Sequence, residues 1–175
     1  MADFNEVLET GDVDAGIVNT VVEISKGSTL KIEWDRKRAV FMLDRVEPAI
    51  FAKPCNYGFI PKTLDEDGDE LDTLIITEEP LPTGIYLEAE VIGVLNFIDD
   101  GEPDHKVVVV PADDRQTGGR IKTLEDLGER WKEQIVHHFT HYKDLKKPGS
   151  TKVEGWGDKA AAIAIIKQCQ TRYVK

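Results

Sequence analysis

Apolar and polar side chains alternate through much of the first two-thirds of the chain, the period-two pattern of half-buried strands. It is clearest in TLKIEWDRK (29–37), where Leu30, Ile32 and Trp34 alternate with Lys31, Glu33 and Asp35. VNTVVEIS (18–25) precedes this segment, and RAVFMLDRV (38–46) follows it with Phe41, Leu43 and Arg45 on one side of the pleat. LDTLIIT (71–77), IYLEAEVIGVLNFI (85–98) and KVVVVP (106–111) complete the predicted strands. Later the period changes. Leu124, Leu127, Trp131, Ile135, Phe139 and Tyr142 recur at steps of three and four, which predicts one amphipathic helix opened by Thr123 and Asp126. DKAAAIAIIKQCQTR, after Gly157, predicts a second helix, and residues 1–14 are expected to be a frayed start. Strands first and helices after them indicate α+β, and the short strands with Gly and Pro turns point to a small barrel. No repeat, low-complexity tract or long linker interrupts the pattern, so one domain is expected over 1–175.

Composition narrows the classes. The 175 residues are 41% hydrophobic and 31% charged, the balance of an ordinary soluble domain with a core of its own. No segment reaches the roughly 18 apolar residues of a membrane span, and the acidic N-terminal stretch lacks the features of a signal peptide. Cys55 and Cys169 fit neither a disulfide framework nor a zinc pattern, so the cytoplasm is the expected compartment. With 22 basic against 33 acidic residues the net charge is -11, which disfavours non-specific binding to nucleic acid. An oligonucleotide-binding barrel would also want exposed aromatics on its strands, and only 7% of the residues are aromatic. An anionic substrate is still admissible if metal ions or a local cluster of Lys and Arg receive it.

The densest chemistry lies in DEDGDELD (65–72), acidic at every position except Gly68 and Leu71. A calcium EF-hand loop does not fit. Placing Gly68 at the sixth position puts Leu74 where the closing Glu belongs, and starting at Asp65 puts Glu70 where Gly belongs. Asp67 and Asp69 are two apart and would share one side of an extended segment, while Asp72 opens an apolar strand. A second acidic group, Asp99 and Asp104 in FIDDGEPDHK, flanks a turn before Lys106 and the next strand. Two carboxylate clusters at strand ends, taken as an oxygen-only ligand set, favour magnesium or manganese over zinc. Lys31 and Glu33 on one strand face, Arg45, Tyr57 in the predicted PCNYGFIP turn, and Tyr142 with Lys143 are the further candidates. Each, taken alone, also reads as an ordinary surface or core residue. His137 and His141 have zinc-compatible helical spacing but no third ligand, and read better as a polar helix face or a subunit contact.

In combination the motifs are specific. DGDELD, with PCNYGFIPKT upstream, IDDGEPDHKVVVVP downstream, and HHFTHYKDL followed by KVEGW, resembles the soluble family I inorganic pyrophosphatases of the compact prokaryotic form. The likeness runs from about Val21 to Trp156. It implies a five-stranded OB-like β-barrel with flanking helices, hydrolysis of diphosphate to two orthophosphates, several Mg2+ ions (Mn2+ as a substitute) and a hexamer. Carried over by motif, Asp67, Asp72, Asp99 and Asp104 would be metal ligands, with Glu33 and Glu23 assisting a further ion. Asp69 would accept the proton of the attacking water, and Lys31, Arg45, Tyr57, Lys106, Tyr142 and Lys143 would hold phosphate. Two departures stand out: Glu70 where the family often has proline, leaving the turn less rigid and more charged, and Lys53 where an aromatic residue or Arg often stands.

Overall fold

A computed structural model describes residues 3–116 and 119–173. Nine strands and three α-helices alternate with short 3-10 turns among those residues: α1 Phe4–Val7, β1 Ile17–Ile24, β2 Leu30–Asp35, β3 Val40–Val46, β4 Asn56–Phe59, β5 Asp72–Ile75, β6 Tyr86–Asp99, β7 Glu102–Pro103, β8 Lys106–Pro111, α2 Glu129–His141, β9 Thr151–Gly157 and α3 Lys159–Arg172.

Five strands close a ring. β1 pairs β4, β4 pairs β5, β5 pairs β8, β8 pairs β6, and β6 returns to β1. All these pairings are antiparallel except β5–β8, which runs parallel with Asp72 opposite Lys106. β6, at 14 residues, is long enough to serve β1, β8 and the outer strands β7 and β9. The expected OB-like barrel with flanking helices is therefore the fold. Closure removes the open edges on which a sheet of this size could aggregate.

The unbroken apolar run of β8 has a direct cause. Val107 and Val109 pack in a cluster with Ala162, Ile166 and Cys169 of α3, whereas Val108 and Val110 pack with Ile135 and Phe139 of α2. Both faces of the strand are covered, so no polar alternation survives. Each such side chain removed from water contributes about 1.5–3 kcal/mol.

Four expectations change. PCNYGFIP holds strand β4 rather than a turn, and its glycine is structural: a Cβ on Gly58 would lie 1.9 Å from the Val21 carbonyl oxygen of β1. The predicted helix from Leu124 to Tyr142 is interrupted. Leu124–Leu127 is a 3-10 turn with the Thr123–Asp126 capping box, and Gly128, at φ 78°, breaks the chain before α2. A residue with a Cβ would be strained there. Residues 3–14 are anchored rather than frayed. Phe4 packs against Trp34 and Phe41, and the buried Asn5 donates to Glu70 and accepts from the Lys62 amide. Lastly, a bulge in the β2–β3 hairpin sets Lys31 opposite Arg45 but Ile32 opposite Leu43, which breaks the simple alternation of β3. Arg45 reaches the cavity described below, while Leu43 is exposed.

Candidate active site

The hairpin β2–β3, the barrel rim and the end of α2 enclose one cavity of about 780 Å3. Every site residue expected from the sequence lines it except Lys106, which is 2% exposed and hydrogen-bonds to two of the lining carboxylates. Topology explains the gathering. The start of β5 supplies Asp72, and its parallel neighbour β8 starts at Lys106 beside it. β6 ends at Asp99, the tight β7 turn returns the chain through Asp104, and α2 ends next to Tyr142 and Lys143. The two acidic clusters thus meet because the strands carrying them are sheet neighbours.

The acidic loop is not extended. The Asp65 amide bonds the Asp69 carbonyl at 2.7 Å, the Gly68 amide bonds the Asp65 carbonyl at 3.2 Å, and the Asp69 amide bonds Asp67 Oδ1 at 3.1 Å. Asp67 and Asp69 still face the same cavity, now from the tip of a turn. Glu70, expected to loosen this turn, instead anchors it. Its buried carboxylate accepts from Asn5 Nδ2 at 2.6 Å and lies 3.1 Å from Arg36 Nε, while Arg36 also donates to the Gly68 carbonyl at 2.7 Å. Arg36 was missed in the sequence; the basic DRKR turn between β2 and β3 was its one visible sign.

Charges interlock across the cavity. Lys106 Nζ bonds Asp72 at 2.5 Å and also Asp104. The Tyr57 hydroxyl donates to Asp72, Tyr142 donates to Asp99 at 3.1 Å, and Lys143 pairs with Asp99. Lys31 lies 3.1 Å from Glu33, and Arg45 donates to Glu47 and to Asp44 at 2.5 and 2.6 Å. Glu23 is buried and accepts the Trp34 amide at 2.7 Å.

Crowded carboxylates resist ionisation. Burial, reinforced by Asp72 and Asp104, pushes Asp67 up to about 7 despite its bond from the Asp69 amide. Burial lifts Glu23 to about 8 against the pull of Lys31. Asp69 and Asp104 are also raised, by burial first and then by Asp72, with Arg36 and Lys106 respectively opposing. Lys106 moves the other way: Asp72 and Asp104 outweigh its burial and hold its proton more tightly.

The donor set suits hard divalent cations. Its oxygens are carboxylates, the carboxylates are short of countercharge, and Asp99 Oδ1 is buried without a hydrogen-bond partner. Among the described residues no three acidic, His or Cys groups close around a single ion position. The His137 and His141 rings lie 4.6 Å apart, and His141 Nδ1 is 2.7 Å from Asp144 Oδ2.

Comparison with known proteins decides the family. The family model for inorganic pyrophosphatase matches residues 20–174. The chain belongs to the inorganic pyrophosphatase family. A Neisseria meningitidis inorganic pyrophosphatase is 65% identical over 175 residues, covering 100% of this chain and 99% of that protein. One from Haemophilus influenzae is 63% identical over 173 residues, covering 99% of this chain and 98% of the relative. The crystal structure of an inorganic pyrophosphatase from Neisseria gonorrhoeae superposes with TM-score 0.98 at 62% identity, covering 99% and 100% of the two chains. The Thermus thermophilus structure gives 0.89 at 38% identity, with 98% and 99% covered. Membership makes the chain a hydrolase of inorganic diphosphate, in a family that depends on divalent cations. No helix among the described residues is long and apolar enough to cross a membrane.

Proposed function

We propose that the cavity binds diphosphate with several Mg2+ ions, Mn2+ substituting, and that Asp69 takes the proton of the attacking water. The observation that carries this reading is the convergence of Asp67, Asp72, Asp99 and Asp104 with Lys31, Arg45 and Lys143 around one cavity. Asp67, Asp72, Asp99 and Asp104, assisted by Glu33 and Glu23, are assigned to the metal ions. Lys31, Arg45, Tyr57, Lys106, Tyr142 and Lys143 are assigned to the phosphates. Bound divalent cations would supply Lewis acidity toward phosphoryl oxygens and water. The chain's own residues do the rest. Arg45 offers a planar fork to two oxygens, and Lys31, Lys106 and Lys143 act as point charges. Tyr57 and Tyr142 donate hydrogen bonds without adding charge. As the bridging oxygen departs, negative charge builds on the leaving phosphate, and these preorganised donors stabilise it.

Phosphate release from diphosphate, measured with Mg2+ and again with excess chelator, tests the reading. Release in both conditions at the same rate would overturn the metal assignment. Arg45→Ala is expected to raise KM and lower kcat together, by about tenfold in kcat/KM, because it truncates a charged hydrogen-bonding contact. Steady-state kinetics check this, and a variant altered only in thermal stability would make Arg45 structural.

We further assign the chain to one catalytic domain over 1–175, a cytoplasmic setting and a hexamer. Support for assembly comes from the exposed Met42, Leu43, Val46 and Ile50, grouped on β3 and the turn after it. His137 and His141 line a cleft beside Ile50 and Phe51. If that cleft is a subunit contact, light scattering should give six chains at about pH 7.5 and fewer at about pH 5. Equal sizes at both would count against a pH-sensitive contact.

A further inference from the structure

Each cation assigned to phosphate has a carboxylate partner inside the protein. Lys106 has Asp72 and Asp104, Lys31 has Glu33, Lys143 has Asp99, and Arg45 has Asp44 and Glu47. Lys53 lines the same cavity and is different. It is 8% exposed, and among the described residues its ammonium makes no hydrogen bond and no ion pair. Instead it lies over three aromatic rings, 4.8 Å from the centroid of Tyr57, 5.4 Å from Tyr142 and 5.9 Å from Phe139. Lys31 and Lys106 approach the Tyr57 ring as well, at 5.6 and 5.7 Å, so the lysine cluster concentrates positive charge around one phenol.

The backbone makes this placement deliberate. The Lys53 amide donates to the Ser28 carbonyl at 2.9 Å, and its own carbonyl accepts from the Gly27 amide at 2.8 Å. The side chain is thereby carried inward from the segment before β4 rather than released to solvent. A buried ammonium is costly unless something offsets it. The aromatic faces compensate in part, because the negative face of each ring attracts the cation. Burial, together with Lys31 and Lys106, still brings the Lys53 pKa down to about 7. A charge so placed is best satisfied by an anion in the cavity, because Asp72 and Asp104 are already paired with Lys106, and Asp99 with Lys143.

We propose that Lys53 is a further phosphate-binding residue, holding an oxygen of diphosphate or of product orthophosphate against the wall formed by Tyr57, Phe139 and Tyr142. The inference rests on the assignment of this cavity to diphosphate, and it deepens that assignment. The sequence marked Lys53 only as a departure from the aromatic or Arg residue often found there. What its ammonium faces is visible only in three dimensions.

Calorimetric titration of inorganic phosphate into the Mg2+-loaded protein tests the proposal, alongside KM for diphosphate. Lys53→Met should bind phosphate about tenfold more weakly and raise KM by a similar factor, the usual consequence of losing one charged contact. Its melting temperature without phosphate should not fall, because an unpaired buried charge has been removed. Lys53→Arg, which keeps the charge, should bind phosphate better than Lys53→Met. A purely structural Lys53 would give the reverse pattern: lowered melting temperature and phosphate affinity within twofold of the parent. If Lys53→Met does not fold, Lys53→Gln provides the same comparison. Failure of the parent protein to release phosphate from diphosphate would overturn the cavity's assignment. Normal turnover in the parent with unchanged phosphate affinity in the neutral variants would overturn the role of Lys53 alone.

Discussion

Asp69→Asn is expected to slow diphosphate hydrolysis by about 10²-fold or more while leaving divalent-cation affinity close to that of the parent. The magnitude is that of losing a positioned general base. The separation of the two effects follows from where the carboxylate stands. Asp69 sits at the tip of the acidic turn with its side chain 84% exposed to the cavity mouth, and its Oδ1 is 3.9 Å from Arg36. It is not bonded into the Lys106–Asp72–Asp104 cluster. Partial desolvation beside the cavity and repulsion from Asp72 raise its pKa, with Arg36 opposing. Asp67, pushed up to about 7, is the rival on proton affinity alone. Cation titration by calorimetry, run with single-turnover kinetics on Asp67→Asn and Asp69→Asn, separates the roles. Asp67→Asn should weaken cation binding, and Asp69→Asn should affect the rate instead. A threefold or smaller change in rate for Asp69→Asn would remove it as the base.

Much of this architecture was legible because the barrel's early strands obey simple patterns. TLKIEWD alternates, since Trp34 packs on Phe59 while Lys31 and Glu33 face the cavity. KVVVVP does not alternate, since both of its faces are covered. The strands that escaped notice do so for physical reasons as well. β4 carries glycine because its backbone touches β1, and β9, TKVEGWG, carries two glycines in seven residues, so both resemble turns. The acidic residues could be grouped by their place at strand ends. That the two groups converge depends on β5 and β8 lying side by side in parallel, a long-range pairing with no local signature. The helix break at Gly128 was hidden by an apolar stripe that continues in phase across the 3-10 turn into α2. Buried polar groups were the least legible. His138 stacks on Tyr142 and is pushed down to about 3 by burial, Lys53 and His137, whereas the sequence singled out only its neighbours His137 and His141.

Lys106→Met should lower both stability and activity, and the two losses should respond differently to pH. Lys106 is 2% exposed and joins Asp72 to Asp104. Removing one partner of a buried ionic cluster typically costs about 3–5 kcal/mol, and the partial exposure of these aspartates places the expected loss near about 3 kcal/mol. For a chain of this length that is a fall in melting temperature of about 6–12 °C. The substitution leaves two carboxylates facing each other, and one can escape repulsion by keeping a proton. Asp104, already raised by burial and by Asp72, loses the cation that lowers it and rises further. The folded variant then holds more protons than the unfolded chain, so its stability must decrease as pH rises. Its deficit relative to the parent should therefore be small at about pH 5 and larger at about pH 8 when calorimetry is performed in chelator. If Lys106 serves the phosphate as proposed, activity should fall by about 10²-fold at either pH, because its preorganised charge cannot be replaced by protonating a carboxylate. A deficit that is constant across pH would mean that Lys106 acts through packing alone, and full activity would exclude it from the phosphate site.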